Sequence, residues 1–271
     1  MSQSSPYTAA SDWEKLSSEF AAWLPLIAPY GDRLIEAAAP KDGDIVLDLA
    51  CGTGEPGLTL ARRMPGITVI GADGAHGMAH AAAGTAHTEG LNNARQLVSR
   101  GESLPFANSA FDGVICRFGL MLFDDPAAGL AEIFRMVKPE GRVALSVWAG
   151  PDTVLCPALT LRVLERFTDD LEWPRTFALS EPGLAARMLE TAGFTEVSET
   201  AFNPGFTFDG LDHFMERNLT GRFIEKPYAR MGEKKQAEFR TAMRQAATAH
   251  ALPDGRIKLA QEAILLSAVR P

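Results

Sequence analysis

The residues best suited to chemistry form a short turn after an apolar run. The run is Val46–Leu49 and the turn is Ala50–Gly54, with the sequence Ala-Cys-Gly-Thr-Gly. Glycine adopts positive φ freely and has no Cβ, so Gly52 and Gly54 let a bound molecule approach the main chain closely. Pro56 follows where the first turn of a helix accepts proline. The free N–H groups at the start of that helix complete a predicted ligand-binding loop.

Two classes of ligand use a turn of this kind. Gly52, Gly54 and Gly57 satisfy the spacing G-x-G-x-x-G, which occurs in proteins that bind nicotinamide or flavin dinucleotides. Asp48 lies four residues ahead of the first glycine, where its carboxylate would face a pyrophosphate of the same charge sign. The same carboxylate suits a ligand with an ammonium and a sulfonium group. Asp48 therefore favours a sulfonium nucleoside, and a dinucleotide is the alternative.

The chain resembles the class I S-adenosylmethionine-dependent methyltransferases, particularly the ubiquinone/menaquinone-biosynthesis type and related small-molecule enzymes. Their first motif has the form acidic–x–x–x–G–x–G, which residues 48–54 match. The similarity spans residues 41–150 and extends more loosely over Trp13–Ala39 and the last predicted strand. Its other matching segments are Ile67–Asp73, Gly101–Phe106, Ser109–Asp112, Asp124–Pro126 and Lys138–Arg142.

The resemblance implies S-adenosylmethionine as methyl donor and S-adenosylhomocysteine as product. It places Asp48 and the glycine turn at the methionine part of the donor, Asp73 at the ribose hydroxyls, and Met78 and Glu102 beside the adenine. The full predicted cofactor set is Asp48, Ala50, Cys51, Gly52, Thr53, Gly54, Asp73, Gly74, Met78, Gly101, Glu102, Ser103, Arg117 and Phe118.

One position departs from the family's pattern. Many members have an acidic residue just before the position of Gly101, where it accepts a hydrogen bond from the adenine amino group. This chain has Arg100 there, and arginine has no acceptor atom. The adenine amine would then be met by Glu102 or by a backbone carbonyl.

Methyl transfer from a sulfonium makes modest chemical demands on the protein. Holding nucleophile, methyl carbon and sulfur in line is a positioning task worth up to ~7–11 kcal/mol, and a general base is needed only for a poor nucleophile. We expect Arg117 to contact the methionine part or the acceptor and Phe118 to shield the sulfonium; the alternative is a surface ion-pair residue and a plain core residue. His213, beside Asp212, is the candidate general base, with an exposed helix histidine as the alternative.

The cysteines and histidines do not indicate a metal site. Cys51, Cys116 and Cys156 are widely spaced and fit neither a disulfide framework nor a zinc site. His76 and His80 are four residues apart and share a helix face, but no acidic third ligand accompanies them. We therefore expect no metal.

Alternating apolar runs and helical segments must position these residues. Runs that are apolar on both faces are typical of buried parallel strands, and the pattern predicts a Rossmann-like, doubly wound α/β fold with a mostly parallel sheet. Ligands in such folds bind at the carboxyl ends of the strands, where the strand order reverses. The predicted strands are Ile45–Leu49, Ile67–Gly71, Arg95–Ser99, Gly113–Cys116 and Arg142–Trp148, and the helices between them are Gly57–Met64, His76–Gly90 and Ala127–Val137.

The alternation loosens after Trp148. We predict a single domain, 1–271, made of an N-terminal helical cap (1–40), a cofactor-binding core (41–202), a helical lid (203–251) and a final strand segment (252–271). Cap and lid would border the acceptor, and packing decoration is the alternative. The elements predicted beyond Trp148 are helices Pro157–Phe167 and Glu181–Ala192 and strands Phe194–Ala201 and Ala263–Val269.

The net charge and the distribution of apolar residues limit which molecules the protein is expected to bind. The 271 residues carry a formal net charge of -8, which repels phosphate backbones, so we expect no nucleic-acid substrate. No apolar stretch is long enough to cross a bilayer, the first residues resemble no targeting peptide, and the cysteine usage suits a reducing cytoplasm. The expected acceptor is a phenol, amine or quinol, methylated on O, N or C. A catalytically silent protein on the same fold is the remaining alternative, and the oligomeric state stays open.

Overall fold

The computed structural model describes residues 20–169, 171, 173–219 and 222–271. Within these residues the chain forms nine strands and nine α-helices. The strands are β1 (Ile45–Leu49), β2 (Thr68–Asp73), β3 (Ala94–Val98), β4 (Phe111–Arg117), β5 (Val137–Trp148), β6 (Thr195–Phe202), β7 (Phe206–Phe208), β8 (Ile257–Leu259) and β9 (Ala263–Val269). The helices are α1 (Leu24–Ala38), α2 (Gly57–Arg63), α3 (His76–Thr88), α4 (Pro126–Met136), α5 (Leu155–Leu164), α6 (Leu184–Thr191), α7 (Leu211–Leu219), α8 (Arg222–Arg230) and α9 (Glu233–Thr248).

Seven strands form the central sheet in the order β3-β2-β1-β4-β5-β9-β6. Strands β3, β2, β1, β4 and β5 pair in parallel, and β9 runs antiparallel between β5 and β6. This confirms the predicted Rossmann-like fold with a mostly parallel sheet. The strand order reverses between β1 and β4, which opens a crevice at the carboxyl ends of these two strands.

Both faces of the sheet are covered, as the continuous apolar runs predict. Leu47 and Leu49 of β1 belong to one buried cluster, whereas Val46 belongs to a second. Successive side chains of a strand point to opposite faces, so the two clusters lie on opposite sides of the sheet. The first and larger cluster extends to the residues after β5, including the lid.

One predicted boundary was wrong at β5. The strand begins at Val137, not at Arg142, and Val137 pairs with Phe111 while Arg142 pairs with Gly113, so the register shifts between the two pairs. Lys138–Gly141 contains proline and glycine, which favour a loop in a sequence-based assignment. The strand accommodates them as an irregularity instead, with Glu140 at a φ of 65°. The preceding helix α4 correspondingly ends at Met136.

Among the described residues before β1, the chain forms one α-helix. Helix α1 runs from Leu24 to Ala38, with Pro25 in its first turn and Pro29 inside it. Proline is tolerated in a first turn because no intrahelical N–H bond is lost there. Residues 1–19 of the predicted N-terminal helical cap lie outside the described residues. Helix α1 packs against β4, β5 and β9.

The insertion between β6 and β9 is largely helical, as predicted. Helices α7, α8 and α9 pack on one another and on α5, and buried side chains such as Phe214 and Phe239 fill the contacts. The sequence did not predict β7 and β8, which pair with each other at the base of these helices, with Phe206 opposite Leu259. In the described part of the chain, no helix is both long and apolar enough to cross a membrane.

The loop after β4 is held by the ring of Phe123, which packs against the main chain of Gly129 in α4. A Cβ at Gly129 of α4 would collide with the ring of Phe123. We expect Gly129→Ala to lower the free energy of unfolding by about 1–3 kcal/mol, because the ring must move. Gly84 lies exposed in α3 with open space around it, and Gly84→Ala should raise that free energy by about 0.5–1 kcal/mol. Urea unfolding of both variants checks this, and equal effects would contradict the packing described.

Candidate ligand-binding site

The glycine turn follows β1, where the sequence places it. Ala50, Gly52 and Gly54 have φ values of 55°, 55° and 106°, in the region that glycine enters without strain. The Cys51 N–H donates to the carbonyl of Ala72 (3.1 Å), which ties the turn to β2. The turn therefore lies at the carboxyl edge of the sheet, beside the crevice between β1 and β4.

Asp73 joins this turn to the end of β2. Its Oδ2 accepts a hydrogen bond from the Gly52 N–H (2.8 Å) and its Oδ1 accepts one from the Ala75 N–H (2.8 Å). Burial raises the pKa of the Asp73 carboxyl. Each carboxylate oxygen has a second acceptor position, so Asp73 retains capacity for two further donors. Gly74, next in sequence, is exposed.

Asp48 lies beneath the turn and is only 1% exposed. Its Oδ2 accepts from the Gly57 N–H (2.8 Å), and its buried Oδ1 has no partner among the described residues. A Cβ at Gly57 would lie 2.6 Å from Asp48 Oδ2, so the third glycine of the motif makes room for this carboxylate. Burial raises the pKa of Asp48 to about 7, against the opposing effects of the Gly57 hydrogen bond and the Arg117 charge.

Arg117 ends β4 and is 8% exposed, so its interpretation as a surface ion-pair residue was wrong. Its Nη1 donates to the carbonyl of Ile27 at 3.5 Å, and within the described chain no other hydrogen bond to its guanidinium is found. Burial lowers the pKa of Arg117 to about 10, while Asp48 and Glu55 act in the opposite direction. The group is thus a buried cation whose donors are mostly unused.

Phe118 belongs to a group of five rings that we call the aromatic cluster. Its ring stacks on Trp148 at 3.7 Å between centroids, and Tyr30 meets it edge-on at 5.2 Å. The Phe118 N–H donates to the carbonyl of Ser146 (3.0 Å), and its φ is 59°. These contacts make Phe118, the residue after Arg117, part of a buried aromatic group. The cluster consists of Tyr30, Phe118, Trp148, Phe202 and Phe206.

The residues predicted to lie beside the adenine already make close contacts with other parts of the protein. Met78 is 2% exposed, which leaves little of its surface for a purine. Glu102 Oε1 accepts from the Asp124 N–H (2.9 Å) and lies 3.6 Å from Arg100 Nη2, and Arg100 also pairs with Asp124. The loops after β3 and β4 are therefore linked here. A Cβ at Gly101 would meet the Phe123 ring.

Ser103, Cys51 and Thr53 complete the predicted cofactor set. Ser103 is exposed, and its N–H donates to the Arg100 carbonyl (3.2 Å). Burial and neighbouring carboxylates raise the pKa of the Cys51 thiol well above its usual range, which makes the thiol a poor nucleophile. The buried Thr53 Oγ1 has no partner in the described structure.

His213, the predicted general base, lies in the lid. Its ring nitrogens face the Asp209 N–H (3.1 Å) and Arg217 Nε (3.3 Å), and its ring meets Phe208 edge-on. All of these contacts lie within 208–217. The structure does not bring His213 into contact with the glycine turn or the aromatic cluster, and its catalytic role stays a prediction.

Several residues at the site were not predicted from the sequence. Tyr30 and Trp148 complete the aromatic cluster, Ser146 fixes the Phe118 main chain, and Gly119 packs against Ala50. Gly119 had a local signal, since glycine directly after a strand favours a turn. Tyr30 lies on α1, whereas Ser146 and Trp148 lie at the end of β5, and no local pattern joins the helix to the strand.

Known proteins share this arrangement of elements. Residues 46–141 match a family model described as a methyltransferase domain. Nocamycin O-methyltransferase of Saccharothrix syringae is 31% identical over 193 residues, which cover 66% of this chain and 69% of that protein. Demethylmenaquinone methyltransferase of Thermus thermophilus is 38% identical over 119 residues, 44% of this chain and 54% of that protein. This chain therefore spans about half the length of the Thermus relative.

Solved structures agree on the fold. The YcgJ protein of Bacillus subtilis superposes with a TM-score of 0.61 at 23% identity, covering 89% of this chain and 97% of that one. The [4+2]-cyclase SpnF also gives 0.61, at 22% identity, covering 92% and 83%. At such identities the likeness concerns the fold alone.

The buried position of Asp48 predicts a pH-dependent stability. Its pKa rises from 3.8 to about 7 on folding, so ionisation increasingly disfavours the native state as pH rises from 4 to 7. We expect Asp48→Asn to stabilise the ligand-free protein at pH 7 and to have a shrinking effect towards pH 4. Urea unfolding across this range measures it, with the exposed Asp152→Asn as control. A stability difference that does not change with pH would contradict the burial of this charge.

Proposed function

The chain belongs to the class I S-adenosylmethionine-dependent methyltransferases, and we propose that it transfers a methyl group to a small organic acceptor held beside the aromatic cluster. One observation carries the proposal: Asp48 and Asp73 lie on the neighbouring strands β1 and β2, and their carboxylates accept main-chain hydrogen bonds on either side of the turn's last glycine, Asp73 from Gly52 and Asp48 from Gly57. Two carboxylates here favour a nucleoside with a positively charged end and disfavour a pyrophosphate. The alternative of a dinucleotide therefore lacks support.

The residues present fit this cofactor. Asp73 has spare acceptor positions on both oxygens, which suits the two vicinal hydroxyls of a ribose. The unpartnered Asp48 Oδ1 places negative charge under the turn, where a cationic ligand end would be stabilised without direct contact. When bound, S-adenosylmethionine supplies a methyl group on a sulfonium, which is an excellent leaving group.

Arg117 is the proposed partner of the methionine carboxylate. A buried guanidinium with one long hydrogen bond has donors available, and guanidinium–carboxylate pairs are strong and directional. An anion at this position would also offset the cost of burying the cation. A negatively charged acceptor is the other group that Arg117 could bind.

The work left to the protein is alignment and exclusion of water. Helix α1 packs against Pro56 just after the turn, and the rings of Phe118 and Trp148 stack on each other in a buried aromatic environment. Aromatic surroundings suit a planar acceptor, so we propose a phenol, amine or quinol. A phenol or quinol of low nucleophilicity needs a base, and His213 is the proposed base only if the lid moves it towards the acceptor.

Turnover with S-adenosylmethionine tests the proposal directly. Purified protein with methyl-labelled donor and a panel of phenols, amines and quinols should form S-adenosylhomocysteine together with a labelled product, both detected by mass spectrometry. Failure of every acceptor, combined with tight binding of NADH and none of S-adenosylhomocysteine, would contradict it.

A matched pair of variants separates the site from general damage. Asp73→Ala should weaken S-adenosylhomocysteine binding about 10–100-fold in calorimetry, because it removes hydrogen bonds to a charged acceptor. Asp152→Ala, at a side chain that is 91% exposed, should leave the affinity unchanged.

A further inference from the structure

A chain of buried hydrogen bonds begins at α1, the helix that packs against Pro56 just after the glycine turn. Tyr30 is fully buried, and its hydroxyl donates to the main-chain carbonyl of Gln261, 231 residues away in sequence. Burial raises the pKa of this hydroxyl far above its usual range, so it remains a donor at neutral pH. The position of α1 is thus fixed by the segment just before β9.

Helix α1 also contacts residues of the candidate site. The Ile27 carbonyl accepts from Arg117, and a Cβ at Gly31 would lie 2.8 Å from Pro56 Cβ, directly after the glycine turn. The Tyr30 ring meets Phe118 and Trp148 edge-on, each at 5.2 Å. A shift of α1 would therefore move two things together: its contact with Pro56 after the turn and the Tyr30 ring of the aromatic cluster.

The chain continues from Gln261 to α5. Gln261 is 2% exposed, and its Oε1 accepts from the Cys156 N–H (3.1 Å) in the first turn of α5. Its own N–H donates to Asn203 Oδ1 (2.9 Å), just after β6. One residue thus links α1, the start of α5 and the start of the insertion.

The last link reaches the lid helix α7. Asn218 is 6% exposed, and its Oδ1 accepts from Thr160 Oγ1 (3.2 Å) and from Cys156 Sγ (3.5 Å), both on α5. Its Nδ2 donates to the carbonyl of Phe214 within α7 (2.9 Å). Burial raises the pKa of the Cys156 thiol to about 12, which keeps that donor protonated.

We propose that this buried chain couples the lid helix α7 to α1, so that local opening of one element loosens the other. Breaking one link leaves a buried polar group without a partner, which costs more than the bond contributes. Moving α1 or α7 away from its partners therefore costs free energy, because the buried polar groups along the chain lose their hydrogen bonds. The coupling is independent of which acceptor the site takes.

Hydrogen exchange of the ligand-free protein tests the coupling from both ends. Tyr30→Phe removes one hydroxyl from α1, and Thr160→Val removes one from α5 with little change of shape. We expect Tyr30→Phe to accelerate exchange by about tenfold in 24–38 and also in 211–219, and Thr160→Val to accelerate the same two segments. Strands β1 and β4 should be unchanged in both variants, because the sheet does not take part.

The control is Tyr228→Phe, which removes a tyrosine hydroxyl bonded to Arg240 within the lid and should leave α1 unaffected. Acceleration confined to α1 in Tyr30→Phe and to α5 and α7 in Thr160→Val would overturn the coupling. Equal acceleration of β1 and β4 would overturn it too, since it would show global destabilisation. Should Tyr30→Phe not fold, the response of α1 to Thr160→Val decides the question.

Discussion

The packing around the site depends on two opposite charges that are buried on neighbouring strands. Asp48 of β1 and Arg117 of β4 are 1% and 8% exposed, and buried charges are costly unless nearby groups compensate them. The compensation comes from main-chain groups: the Gly57 N–H for Asp48 and the Ile27 carbonyl for Arg117. Helix α2 and helix α1 must therefore approach the strands closely.

That constraint explains the local choice of glycine. Gly57 lies against the Asp48 carboxylate, and Gly31 lies against Pro56 with Arg117 nearby, so a side chain at either place would separate helix from site. Compensation is nevertheless incomplete, since Asp48 Oδ1 and most donors of Arg117 lack partners in the described structure. Such incomplete compensation suits the proposed ligand, which brings an ammonium and a carboxylate of its own. We expect binding to recover the stability that these unpaired groups cost the free protein.

Local features of the sequence were enough to place the glycine turn, Asp48 and Asp73 near one another. The glycine turn, Asp48 and Asp73 follow apolar runs directly, and the parallel strands carry all of them to one edge of the sheet. The acceptor end could not be predicted in this way. Tyr30, Trp148 and Gln261 belong to α1, the end of β5 and the segment before β9, and only the tertiary fold joins them.

The surroundings of three other predicted site residues also depend on the tertiary fold. The burial of Met78 follows from how α3 packs on the sheet, which residue spacing does not specify. His213 was selected because it lies in the insertion beside a carboxylate, but its neighbours are decided by the pairing of β7 with β8, whose three-residue strands are too short to give a pattern. For Arg117, a charged residue at the end of a strand suggests exposure to solvent, which was the alternative interpretation. The residue is buried because α1 packs over it.

The most direct measurement of the central claim is a structure of the protein with bound S-adenosylhomocysteine. The account predicts both ribose hydroxyls within hydrogen-bonding distance of the Asp73 carboxylate, the amino-acid end of the ligand above the turn over Asp48, and its carboxylate at Arg117. A nucleoside bound elsewhere, or an Asp73 carboxylate directed away from the ribose, would contradict it.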